Sequence, residues 1–198
     1  AGGIQNSIGT NSAYASIGGG ANNRIGNDAI WTVISGGSLN QINTGVIGSV
    51  VCGGFSNVNG AAYAFLGGGY CNTLGSSANY SAVGGGLGNN VGDSADHAFI
   101  GGGLQNTIAG NAHDVVIGGG IRNQIGSFSQ ASAVVGGEEN VMSNSAYHCV
   151  IGGGYRNTIP FGWYATIPGG LNNSASGQGT FAAGRQARAT NNGSFVWA

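Results

Sequence analysis

The chain contains no lysine, and charged residues of every kind make up only 6% of its 198 positions. Five arginines and six carboxylates are spread along it, for a formal charge of −1. No basic stripe is therefore available to neutralise a phosphate backbone, and nucleic acid is not an expected partner. Proline occurs twice, and the glycines keep no three-residue period, which excludes a collagen triple helix. No apolar run approaches the roughly 20 residues that a bilayer span requires. The opening residues show no charged segment followed by an apolar one, so neither membrane insertion nor a targeting signal is expected in this stretch. Three cysteines, Cys52, Cys71 and Cys149, have neither metal-ligand spacing nor an even count. They read as small apolar fillers, and no metal or other cofactor is expected.

What is present is glycine, 43 residues of it, beside an apolar content of 41% that is too high for a flexible linker. The glycines are arranged. A unit opening Gly-Gly-Gly, with Asn at its sixth position and an aliphatic residue at its eighth, begins at Ala1, Gly18, Ser35, Cys52, Gly67, Gly84, Gly101, Gly118, Val135, Gly152, Pro168 and Ala182. Most spacings are 17 residues, and the third position is glycine every time, from Gly3 and Gly20 to Gly170 and Gly184. The sixth is Asn from Asn6 to Asn173 and becomes Ala187 in the last unit. A unit this short cannot bury its own apolar face and must stack on copies of itself. The expectation is an all-β, parallel β-solenoid of about twelve coils spanning residues 1–198, with an atypical terminal coil at 182–198.

Each unit holds two strand-like segments. The one before the glycines, such as Thr-Val-Ile or Ala-Phe-Leu, is apolar on both faces. The one after it alternates, with Leu104, Asn106 and Ile108 on one side and Gln105 and Thr107 on the other, as expected of a strand with one wet face. The recurring Asn is expected to point inward and form a hydrogen-bonded ladder with a rung about every 4.8 Å. Short units should lose residues only between the ninth position and the next strand, in an outer loop that includes Pro160, Phe161 and Gly162.

The two-faced strand needs cover on its second face. Val33, Val50, Phe65, Phe99, Val116 and Val150 fall at its second-to-last position and would stack into an apolar stripe roughly 50 Å long. That is too much to leave wet, so self-association along this stripe is expected.

The Gly-Gly-Gly-x-x-Asn-x-aliphatic unit, with strand endings such as Tyr14-Ala-Ser-Ile and Tyr63-Ala-Phe-Leu, resembles the left-handed parallel β-roll heads of trimeric autotransporter adhesins. The closing segment, Gly179 to Ala198, resembles the end of such repeats in phage tail-fibre and bacterial surface proteins. The resemblance implies a homotrimer in a bacterial or virion surface fibre, extracellular, that attaches to a cell-surface glycan or protein.

Four residues before each new unit stand Tyr14, Trp31, Gly48, Tyr63, Tyr80, His97, Asp114, Ala131, His148 and Tyr164. The aromatic and His members, Tyr14, Trp31, Tyr63, Tyr80, His97, His148 and Tyr164, combine apolar area with a polar tip, which suits a sugar face or a protein partner. The same groups would equally seal the rim of an interface. Register places His97 beside Asp114 and Asp96 beside His113, side chains able to hold a metal but more simply read as a solvated polar patch. Arg122, Glu139 and Arg156 share the fifth position of consecutive units and should form a charged ladder. The glycine clusters lack the Lys-Ser/Thr ending of a phosphate loop, and six scattered acids offer no convergent carboxylate pair, so no catalysis is expected. A passive fibre spacer is the alternative; ice binding is disfavoured because the outward seventh position is not a Thr column.

Overall fold

The computed structural model describes residues 2–198; Ala1, which opens the first unit, lies outside them. It is an all-strand parallel β-solenoid, with no helix among the described residues. One sheet contains 12 two-residue strands, from Ser7–Ile8 through Thr107–Ile108 to Arg188–Ala189. A second, of 13 strands, runs from Ser16–Ile17 to Phe181–Arg185, with Phe195–Trp197 paired onto the last. Every pairing is parallel and joins equivalent positions of neighbouring units, as in Ala82 with Phe99 and Thr107 with Gln124. A ladder of twelve rungs closes one turn fewer than it has rungs, so the expected twelve coils are corrected to about 11 turns.

The interior is a stack of columns. The eighth position supplies Ile25, Ile42, Leu74, Ile108, Ile125 and Ile159, and the last position supplies Ile34, Leu66, Ile100, Ile117 and Ile151, all essentially inaccessible to solvent. Each such side chain contributes about 1.5–3 kcal/mol relative to exposure. Because the rungs are identical, the apolar gain grows coil by coil rather than from one central cluster.

The Asn column forms the ladder expected of it. In a representative rung Asn106 donates its backbone N–H and its side-chain amide to Asn89 Oδ1, at 2.9 and 3.2 Å. The same amide donates to the carbonyls of Gly102 and Gly120, both at 2.9 Å, and Asn106 Oδ1 accepts from the N–H of Asn123. A buried amide thus meets its full bonding capacity and ties the glycine corners of two coils together, which offsets the cost of its burial. The ladder ends where Ala187 N–H donates to Asn173 Oδ1. Three residues before a new unit, serines make a second recurring bridge between coils: Ser81 Oγ donates to Ala95 O and accepts from Ala98 N–H, both at 2.8 Å, and Ser49 and Ser132 bond in the same way.

Three sequence expectations change. Leu104 does not share the core side with Asn106 and Ile108; Gln105 between them has φ 55°, a left-handed turn that breaks the strand alternation and leaves Leu104 partly exposed. Cys52 and Cys71 are exposed rather than interior fillers, since they stand at the first and fifth positions, on the outside of the glycine corner. Only Cys149 is buried, in the Ser/Thr column, where its thiol lies 3.3 Å from Gly162 O and burial raises its pKa. Finally, the aliphatic eighth position has one exception, Asn59, and it falls in the short unit Cys52 to Leu66. Asn59 Oδ1 accepts from Ala61 N–H at 3.0 Å inside the contracted corner. The tighter turn presents backbone groups to the interior that an aliphatic residue could not satisfy.

Candidate functional site

Four outward columns could carry function. The fourteenth-position column, from Tyr14 to Tyr164, faces outward, and its rings stack along the solenoid axis. Tyr63 lies on Tyr80 with centroids 5.3 Å apart, Tyr80 on His97 at 5.4 Å, His148 on Tyr164 at 5.2 Å, and Tyr14 on Trp31 at 6.3 Å. Gly48 interrupts the column, and the ring of Tyr63 leans into the space it leaves. Parity with the strand, which would put this column on the same flat face as the apolar stripe, does not extend to it. Every member has a left-handed backbone, from Tyr14 at φ 58° to Tyr164 at φ 60°. The column is a corner one step outside the strand.

That geometry gives the composition of the column a structural cause. β-branched residues are strongly disfavoured at positive φ, whereas glycine, Asn, Asp and unbranched or aromatic residues are tolerated. The column contains no Val, Ile or Thr, and neither does the fifth-position column, which is also left-handed from Gln5 to Gln186. The absence of β-branched residues, together with occasional glycines such as Gly48 and Gly88, is the signal in the sequence that marks both corners.

The second-to-last column is in register and outward, as expected. Val33 pairs with Val50, Val50 with Phe65, Phe99 with Val116, and Val150 follows Ala133. In the single chain Phe65 and Phe99 are 46% and 42% exposed, while Val33 and Val50 are partly covered by their neighbours. A stripe that sequence alternation concealed runs beside it at the fourth position: Ile4, Phe55, Tyr70, Leu87 and Ile121 are all exposed, with Phe55 stacked on Tyr70 at 5.2 Å. The two apolar stripes flank the glycine corner.

The charged groups occupy corners as well. Glu139 joins Arg156 through Oε2 and Nε at 2.6 Å and reaches Arg122 at 3.0 Å, and Arg122 also meets Glu138 at 3.1 Å. The Arg156 hydrogen bond holds the Glu139 carboxyl below its ordinary range, and Glu139 in turn raises the Arg156 pKa. The Arg156 guanidinium lies 4.7 Å from the ring centre of Tyr155. His97 Nδ1 stands 3.4 Å from Asp114 Oδ1, and His113 Nδ1 stands 4.0 Å from Asp96 Oδ2. The two pairs stay separate, and no three His, Cys, Asp or Glu side chains converge among the described residues. Asp96 Oδ1 also accepts from Asn79 N–H at 2.7 Å, the backbone-capping role that its register gives it.

One aromatic concentration escapes a repeat-based reading. Tyr147 and Trp163 stand at the thirteenth position, which holds Ile30, Ile47, Asn79, Asp96, His113 and Gln130 in earlier coils. They meet edge-on at 5.6 Å, beside the His148–Tyr164 stack. The signal in the sequence is the loss of one residue from the outer loop around Pro160. The short strands Ala146–Tyr147 and Gly162–Trp163 pair here, continuing the parallel bridges that join His113 to Gln130 and Gln130 to Tyr147 at the same position.

No protein-family model matches the chain, and no curated protein matches it. The likeness to surface-fibre β-rolls therefore rests on the repeat itself.

Proposed function

We propose that the chain is a non-enzymatic segment of an extracellular surface fibre, assembled as a parallel homotrimer and serving attachment to a cell-surface ligand. The observation that carries this reading is the pair of apolar stripes, at the second-to-last and fourth positions, that run in register beside the glycine corner. Contiguous apolar surface of that extent is characteristic of an interface, and a second copy of the same periodic surface matches it rung for rung. The number three, the left-handed winding and a bacterial or phage fibre setting come from the resemblance of the repeat.

Mass-resolved chromatography tests the assembly. The native chain should run at three times its mass. The double change Phe65→Asp with Phe99→Asp should dissociate it, because each charge buried without a partner costs several kcal/mol. A stable native monomer would remove the basis of the proposal. For attachment, Tyr63→Ser with Tyr80→Ser should preserve the trimer and weaken binding to cells.

A passive spacer is favoured by one observation: the rings of the fourteenth-position column stack face to face, so most ring faces are already covered by neighbours. No cell binding by the native trimer would select the spacer, and unchanged cell binding in that folded double variant would move the binding site elsewhere.

A further inference from the structure

A cleft of about 450 Å³ lies on the outer corner where two contracted coils meet, the one carrying Pro160, which omits one residue, and the one from Pro168 to Phe181, which omits three. Its aromatic walls are Phe161, 63% exposed, and Trp163, 53% exposed. Neither ring fills a core column, so the stacking of coils does not require them. The polar lining is Ser145, Ser176, Gln178 and Asn192, hydroxyls and amides without a charge among them. Asn192 is anchored, its Oδ1 accepting from Gln178 N–H at 2.8 Å, which leaves its amide N–H groups free to donate. Among the described residues no hydrogen bond uses the hydroxyls of Ser145 and Ser176 or the side-chain amide of Gln178. The backbone that carries Trp163 and Gln178 is tied between coils: Gly179 N–H donates to Trp163 O, and Gly193 N–H donates to Gln178 O, both at 2.8 Å.

We propose that this cleft binds a neutral pyranose unit of a glycan. A flat apolar wall with amide and hydroxyl groups around it matches a ring that has one face of C–H groups and a rim of hydroxyls. Amides and hydroxyls both donate and accept, as sugar hydroxyls do, and the absence of lining charge disfavours acidic sugars and charged peptides, whose burial would go unpaired. The cleft lies between the ninth and fourteenth positions, whereas the apolar stripes flank the glycine corner on the other part of the coil. Assembly along those stripes would leave it open. Its use in attachment rests on the proposed function above; the binding chemistry does not.

The test is direct titration with methyl glycosides of glucose, galactose, mannose, N-acetylglucosamine and N-acetylgalactosamine. The chain has three tryptophans, so Trp31→Phe with Trp197→Phe leaves Trp163 as the reporting fluorophore. At least one glycoside should change its emission saturably, with a dissociation constant of about 1 mM or tighter. Gln178→Ala should weaken that binding about tenfold, and Phe161→Ala should weaken it at least as much. Tyr63→Ser, on the distant column, should leave it unchanged, and all variants should keep the β signal in circular dichroism. No response to any of the five glycosides at about 50 mM overturns the proposal. So does a response indifferent to both cleft variants, or methyl sialoside or glucuronide binding as tightly as the best neutral sugar. Sugar binding without cell attachment would leave the cleft standing and defeat the attachment reading; cell attachment without sugar binding would do the reverse.

Discussion

At the glycine corner each coil lies backbone against backbone on the next. Gly137, at the third position, has φ +87°, and a methyl group added to it would overlap the carbonyl oxygen of Gly154 and come within 2.7 Å of the Asn140 amide. At the outer corner, between the ninth and fourteenth positions, the coil from Cys52 to Leu66 omits two residues, the coil carrying Pro160 omits one, and the stacking continues on both sides. The first corner is fixed by close approach between coils and the second only by the need to return the chain to the next strand. Invariance therefore marks the corner that builds the solenoid, and variation marks the one free to acquire a binding surface.

The sharpest way to break this comparison is a pair of neighbouring glycines. Gly136 has an ordinary φ, and a methyl group there would meet nothing within 4 Å. Gly137→Ala should cost about 3 kcal/mol or more, from steric overlap combined with an unfavourable φ. Gly136→Ala should lie within about 1 kcal/mol of neutral, and on the stabilising side if the loss of unfolded-state freedom dominates. Urea midpoints followed by circular dichroism give both values. Equal losses at the two sites would show that the corner is selected for something other than close approach.

How far the sequence announced this structure depends on the column. The period, the Asn ladder, the outward apolar stripe and the His97–Asp114 and Arg122–Glu139–Arg156 neighbours follow from stacking equivalent positions, because register alone brings them together. What alternation could not give was the left-handed backbone at the fifth and fourteenth positions. Residues such as Leu39, Arg122 and Trp31 seldom adopt it, and nothing in any one of them announces it. Only the missing β-branched residues along whole columns do so. The same blind spot hid the fourth-position stripe and put Leu104 on the wrong side. The cleft was illegible for another reason: Trp163 and Gln178 lie in two successive shortened coils, and a deletion in a repeat registers as an absence rather than as a new surface.

The contracted coil sharpens the comparison from the opposite direction. Asn59 stands where other coils have an aliphatic residue, and replacing it with the consensus isoleucine would ordinarily be expected to stabilise. Here Asn59→Ile should destabilise by about 1–2 kcal/mol, since it leaves the buried Ala61 N–H without the acceptor it now has at 3.0 Å. Inserting two residues after Gly60, to restore the full-length corner, should abolish that penalty. A neutral Asn59→Ile in the short coil would break the link between corner length and interior polarity.

The smallest effect belongs to the charged ladder, where the outer surface adds to stability without deciding the fold. The Glu139 carboxyl has its pKa lowered from an ordinary value of 4.5, chiefly by the Arg156 hydrogen bond, while Arg156 stays protonated throughout the accessible range. A carboxyl whose folded pKa is depressed contributes stability that is fully present above the unfolded value and is lost as pH falls through the folded one. Glu139→Gln should therefore lower the melting temperature only slightly near neutrality, by about 1 °C or less for an exposed, screened group. The difference between the two proteins should shrink as pH drops below the ordinary carboxylate range and vanish once Glu139 is protonated. Added salt at neutral pH should shrink it in the same way, because both partners face solvent. A difference that persisted at low pH would mean that Glu139 acts through its left-handed corner geometry, φ 55°, rather than through its charge.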